Sequence, residues 1–193
     1  MVLNKKLHEA VKFNDIELAG SLISQGADVN SVIDDYASIH WAVQEGYLKM
    51  TELLLKSGAE IEVKDESHFT PVYKAVGEGH CEILKLLLQK GANPNAISDT
   101  GDTPLHIACA WGRYREAQCL IEYGAELNLQ EEDGRVPLSF AVMYGHYDLV
   151  ELLLNKGARI SVKDDEGISP YDMAINSRDA KMIRLFENTT DEG

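Results

Sequence analysis

Apolar residues along this chain gather in short blocks that come in pairs, separated by polar stretches that contain glycine. In the clearest pair, Leu105, Ala108 and Cys109 form one stripe at helical spacing behind Thr103-Pro104. Thr103 is a natural N-cap, because its hydroxyl can accept from a backbone N–H that the helix leaves unpaired. Pro104 follows at the first helical position, where its missing N–H costs nothing. Gly112 breaks this helix, and a second is predicted from about Tyr114 to Tyr123. The second blocks carry the heavier apolar load: Ile83, Leu84, Leu86, Leu87 and Leu88 in one, Leu149, Val150, Leu152, Leu153 and Leu154 in another. That is more than one stripe, so these helices are expected to be covered on two sides. Gly91, Gly124 and Gly157 end them, since a left-handed cap is cheapest for glycine. The stretch that follows, such as Ala125 to Gly134, is polar and turn-rich.

The blocks recur with a fixed period. Gly-Ala stands at 26–27, 58–59, 91–92, 124–125 and 157–158, in steps of 32, 33, 33 and 33. Gly46, Gly79, Gly112 and Gly145 keep a 33-residue step, and so do Pro71, Pro104, Pro137 and Pro170. Three independent markers in one phase mark a repeat protein. Thr103-Pro104-Leu105-His106, the mid-repeat glycine with its leucine-rich helix, and the Gly-Ala-x-x-Asn that follows resemble the ankyrin repeat, from about Lys5 to Phe186. The resemblance implies an all-α solenoid of helix-turn-helix units with projecting β-hairpin loops, in about six repeats including two caps. A single domain over 1–193 is expected, with repeats near 1–31, 32–64, 65–97, 98–130, 131–163 and 164–193. The hairpin tips and first helices would form a concave face. Stability would be close to a sum of repeat terms and neighbour interfaces.

Some copies depart from the pattern. Repeat two has Ala37-Ser38 in place of Thr-Pro, so its first helix should start weakly; repeat five has Val136 for Thr and Ser139 for His, and repeat three has Tyr73 for His. The first unit lacks a preceding hairpin and the last stops before any Gly-Ala, so both read as caps and the array as complete. Lys5, Lys6, Lys12 and Asp15 at one end, and Arg178, Asp179, Lys181 and Arg184 at the other, give the outer faces their charge.

Composition narrows the partners. A formal charge of −14 repels phosphate backbones and anionic lipid, so nucleic acid and membrane are excluded as partners and a basic protein surface is favoured. Three cysteines without C-x-x-C spacing imply neither a disulfide framework nor a zinc site; Cys81, Cys109 and Cys119 read as inert helix thiols. The N-terminus has no signal-peptide core, and cytoplasm or nucleus is the expected compartment. His8, His40 and His106 share the position where the family ties the helix start to the hairpin; His80 and His146 follow mid-repeat glycines; only His68 is off-pattern. No phosphate loop, metalloprotease motif or nucleophile elbow occurs, and the carboxylates cluster where water reaches them. No catalytic residue, metal or cofactor is expected.

The positions that vary between copies carry the candidate surface. At the tips these include Tyr36, Phe69, Asp99, Asp102, Glu132 and Asp133; along the first helices they include Trp111, Met143 and Tyr144, with Tyr123 nearby. Carboxylates at the tips either attract a basic partner or simply keep an apolar stack soluble. Large side chains there either anchor a partner or pack on a neighbouring hairpin. Trp41 aligns with Lys74, Ile107 and Phe140 and is expected to pack within the first-helix layer. The expected function is a non-catalytic interaction module, monomeric on its own, that holds a basic or amphipathic protein segment on its concave face. Two alternatives stand beside it: an inhibitor that occludes an enzyme or transcription factor, and a substrate of an asparaginyl hydroxylase. For the latter, Asn30, Asn95 and Asn128 match the loop asparagine modified in some ankyrin proteins; a purely structural role for them remains open.

Overall fold

The computed structural model describes residues 2–34 and 36–187; Met1 and the last six residues of the sixth repeat lie outside the described residues. The chain divides into two compact units, Met1–Asn93 and Pro94–Gly193. The first unit holds three helix pairs: α1 (Val2–Lys12) with α2 (Ile16–Ser24), α3 (Ser38–Gln44) with α4 (Leu48–Lys56), and α5 (Pro71–Glu78) with α6 (Cys81–Gln89). The second holds α7 (Pro104–Ala110) with α8 (Tyr114–Glu122), α9 (Pro137–Met143) with α10 (Tyr147–Asn155), and α11 (Pro170–Asn176) with α12 (Ala180–Phe186). Within each unit, first helices pack on first helices (α1 on α3 on α5; α7 on α9 on α11) and second helices on second helices. Each unit is therefore two helical layers, and the all-α repeat architecture is as expected.

Local sequence explains the boundaries. The Thr70 and Thr103 hydroxyls accept from the N–H of Tyr73 and His106, both at 3.4 Å. Ser169 and Asp172 cap α11 reciprocally, at 3.0 and 3.1 Å. Ala37 and Val136 supply no side-chain cap, as their departures from the motif require. The recurring Gly-Ala is a helix stop. Glycine takes φ between 86° and 92°, and the alanine N–H then reaches back five residues, as from Ala92 to the Leu87 carbonyl at 3.1 Å. The mid-repeat glycine has a second duty. A Cβ on Gly46 would lie 2.7 Å from the His80 ring, and one on Gly112 2.8 Å from the His146 ring.

Two details differ from expectation. The first helices are the more deeply buried: α5 buries six of its eight residues and α6 four of its nine. Leu86, Leu152 and Leu154 are only half-buried. A first helix is flanked by its own partner, by neighbouring first helices and by hairpin backbone, whereas a second helix keeps one face to water. Among the described residues, moreover, only one hairpin contains paired strands, β1 (Val32–Ile33) and β2 (Tyr36–Ala37). At the next tip a side chain replaces the ladder: Asp65 Oδ1 accepts from the N–H of Ser67 and of Phe69, at 3.0 and 2.9 Å. Glu131 and Asp164 do the same for their own tips.

Candidate functional site

In the second unit, the candidate aromatics stand where a first helix ends. Trp111 is the C-terminal cap residue of α7 and Tyr144 that of α9, in equivalent positions one repeat apart. Each precedes a left-handed glycine, Gly112 or Gly145, that turns the chain toward the second helix. The turn leaves the preceding side chain outside the layer, so Trp111 stays 59% and Tyr144 56% exposed. Met143, the last residue of α9, is 48% exposed beside Tyr144. Because α7 and α9 pack directly, their axes lie about 8–10 Å apart, and the two aromatics share one face. Tyr123 does not join them. It caps the far end of α8, which returns alongside α7 after a short turn, about 13 Å further along the pair.

The tips of this unit are laced together. The Glu132 N–H donates to the Thr100 carbonyl at 3.1 Å, and the Asp165 N–H to the Asp133 carbonyl at 3.0 Å. Asp99, Glu132 and Asp133 are exposed, while Asp102 is half-buried and accepts from the Thr100 hydroxyl at 2.7 Å. Arg135 donates to Asp133 at 2.9 Å and lies 3.9 Å from Asp164. Between α9 and α11, beneath these tips, runs an open groove of about 420 Å³ whose walls include Val142, Met143, Ile168 and Met173.

In the first unit, the two candidate aromatics are engaged within the fold. Tyr36 is half-buried, 5.3 Å from Trp41 between ring centroids, and its hydroxyl accepts from Lys74 at 3.2 Å. Phe69 stacks on Tyr73 at 4.1 Å with nearly parallel rings. Trp41 lies in the first-helix layer as expected, edge-on to His8 and beneath the Lys12 ammonium.

Sequence reasoning missed the ion pair at the centre of this cluster. Lys74 Nζ sits 2.7 Å from Asp65 Oδ2, with side chains only 10% and 1% exposed. Burial pushes the Asp65 carboxyl up, but Lys74 and the Phe69 and Ser67 N–H groups outweigh it and hold it below the usual range. Burial likewise pulls Lys74 down, and Asp65 and Tyr36 overcome it, leaving the ammonium above its ordinary value. The signal was available: Lys74 stands in register with Trp41, Ile107 and Phe140, and a charge at a packing position needs a counter-charge. Phe13 was also missed. It stands just after α1, 79% exposed, before Asn14 in the left-handed conformation that Gly46, Gly79, Gly112 and Gly145 take in the central repeats.

The remaining candidate chemistry is structural in its contacts. His40 and His106 accept a backbone N–H at Nδ1, from Ala37 at 3.2 Å and Thr103 at 3.0 Å. Their Nε2–H groups therefore donate to the next hairpin, to the carbonyls of Val63 at 2.9 Å and Arg135 at 3.1 Å. Burial, the dominant influence, lowers both pKa values, so both rings are held neutral. Cys109 is fully buried and its thiol is pushed far up; Cys119 is buried as well, while Cys81 is only half-buried. Asn30, Asn95 and Asn128 each accept an N–H from the following repeat: Glu60 at 2.8 Å, Glu126 at 2.8 Å and Arg159 at 2.9 Å. Glu62 does the same for Asn93 at 2.8 Å where the repeat lacks asparagine. Among the described residues no cluster of three or more His, Cys, Asp or Glu is placed to hold a metal, and no helix is long and apolar enough to cross a membrane.

Comparison with known proteins agrees with this architecture. A family model described as ankyrin repeats (3 copies) matches residues 7–98 and 93–164. The rice potassium channel AKT1 (Oryza sativa subsp. japonica) is 41% identical over 63 residues, 32% of this chain and 7% of the channel. The mouse palmitoyltransferase ZDHHC13 is 36% identical over 69 residues, 35% of this chain and 11% of that protein. Human ankyrin repeat domain-containing protein 40 is 33% identical over 70 residues, 35% of this chain and 19% of its own length. The chain thus spans less than a fifth of each of these relatives, and what is shared is repeat sequence.

Proposed function

The chain belongs to the ankyrin-repeat family, and from that premise we propose that it is a non-catalytic module that holds a partner protein, with residues 1–193 working as one repeat domain. Ankyrin repeats are generally protein-interaction modules and the family is typically non-enzymatic. The channel and transferase activities of the longer relatives are not carried over, because the similarity covers a small fraction of each. The observation that supports this reading is the pair Trp111 and Tyr144, more than half exposed at the ends of adjacent first helices. Side chains of this type dominate interface energies once a partner desolvates them. The acidic tips of the same unit favour a partner segment that is basic or amphipathic. Rigid presentation keeps the entropy lost on binding small.

Replacing both Trp111 and Tyr144 by Ala tests the surface. Capture of the cellular partner should fall at least about tenfold, in line with the loss of two anchor side chains, while the melting temperature stays nearly unchanged. Undiminished capture sinks the reading. An activity assay on the captured partner then separates occlusion of an enzyme or transcription factor from passive presentation.

A further inference from the structure

The groove between α9 and α11 has a composition that specifies one kind of guest. Its floor and walls are mostly apolar and soft: Val142 and Met143 come from α9, Met173 from α11, and Ile168 from the hairpin leading into α11, with the polar Asn176 and Ser177 at the end of α11. Methionine fills irregular space and adapts to what lies against it. The rim on the hairpin side is acidic. Asp164 and Glu166 stand there with one cation, the Arg135 guanidinium. It is bonded through Nη1 to the exposed Asp133 at 2.9 Å and lies 3.9 Å from Asp164, with its Nε left without a hydrogen-bond partner among the described residues. Asp164 is further committed to its own tip, accepting the N–H groups of Glu166 at 3.1 Å and Ile168 at 2.9 Å. The Glu166 carboxylate is exposed and belongs to no ion pair among the described residues, although it lines the groove. An apolar trough that ends at an unpaired carboxylate is complementary to a long aliphatic stem that ends in a cation.

We infer that this groove is the specificity pocket for an arginine or lysine side chain on the partner's docking segment. The methylene stem lies across Met143 and Met173, and the charged head reaches Glu166. The inference rests on the interaction-module reading above and deepens it: Trp111 and Tyr144 supply the contact area, and the groove selects what sits beside them. A volume of about 420 Å³ is at the lower end of the range for small-ligand sites, ample for one long side chain and a neighbouring apolar residue.

The test starts from a library of random displayed peptides selected on the full chain, followed by affinity measurements with the synthesised winners. The expected winners carry an arginine or lysine next to an apolar residue. Their affinity should fall at least about tenfold for Glu166→Lys and for Met143→Glu, and little for Met143→Leu. Replacing the peptide's cation by Glu should restore binding to Glu166→Lys, a rescue that general damage to the fold would not give. All three substitutions are at exposed positions, and melting curves verify that each variant folds. Failure to enrich any peptide, an acidic consensus, or winners that bind the variants as tightly as the parent would each overturn the inference. If Glu166→Lys leaves capture of the cellular partner intact while the Trp111 and Tyr144 replacements abolish it, the pocket assignment fails and the wider surface reading stands.

Discussion

Lys74 shows what a single side chain can demand of its neighbours. Its ammonium lies 2.7 Å from an Asp65 carboxylate that is 1% exposed, and it also donates to Tyr36 and to Gln44 at 3.4 Å. A buried pair of this kind adds little over a well-packed apolar pair, but removing one partner strands the other charge. Lys74→Met keeps most of the stem and should still cost about 3–5 kcal/mol, because Asp65 is left buried and unpaired. The double variant Lys74→Met with Asp65→Asn should recover a large part of that loss, since the neutral amide can still accept the Ser67 and Phe69 N–H groups. Urea denaturation of the parent, the two single variants and the double variant measures the coupling. Additive losses would mean that the contact does not act as a pair. The same side chain explains why Tyr36 was ambiguous in the sequence. Its position varies between copies, as a binding residue would, and the unforeseen cation beneath its ring and hydroxyl, together with the Trp41 ring, ties it down.

At the scale of the helix pair, the histidines that fasten a first helix to the next hairpin make stability depend on pH. His40 and His106 work only as neutral rings, with Nδ1 accepting and Nε2–H donating, because a proton on Nδ1 would face the N–H of Ala37 or Thr103. Their pKa values are lowered in the fold from 6.5, as is that of buried His8, where burial again outweighs Asp34. Above pH 6.5 the rings are neutral in both states and stability is complete. As pH falls through 6.5 the unfolded chain takes up protons that the folded chain refuses, so stability declines until the folded pKa values are passed. Asp65 contributes only lower, as pH falls through 3.8, since its folded pKa is depressed. The melting temperature should therefore drop between pH 7 and 5, by about 2–4 °C for each kcal/mol lost. The variant His40→Gln with His106→Gln should be less stable at pH 7.5 yet show a shallower decline; an unchanged slope would refute the assignment. This tie was legible beforehand because it recurs in phase, and the glycine stops and threonine caps were legible for the same reason. The tip geometry was not. Asp65, Glu131 and Asp164 look like further surface acids in the sequence, and their role as substitutes for strand pairing depends on which backbone N–H groups the folded turn directs at them.

Over the whole molecule, repetition fixes the scaffold and leaves function to whatever breaks it. Trp111 and Tyr144 could be singled out because they interrupt the pattern, and their exposure follows from the left-handed turn beside them. The groove between α9 and α11 could not, because its lining comes from four separated segments and its character depends on the contact of Arg135 with Asp133. Charge acts at a longer range than either. On the proposed reading, a net charge of −14 would draw in a basic partner before any contact forms, so the field would govern encounter while the aromatics and the groove would govern escape. Salt weakens the first far more than the second, because the screening length shrinks from about 10 Å at 0.1 M to about 3 Å at 1 M. Stopped-flow or surface-bound kinetics with the captured partner should show the association rate falling by roughly tenfold or more as salt rises across that range, with the dissociation rate nearly constant. The Trp111→Ala, Tyr144→Ala variant should behave in the opposite way, keeping the association rate and its salt dependence while dissociating faster. An association rate indifferent to salt would mean that the acidic surface serves solubility alone, and that recognition rests on the aromatic and methionine contacts without long-range steering.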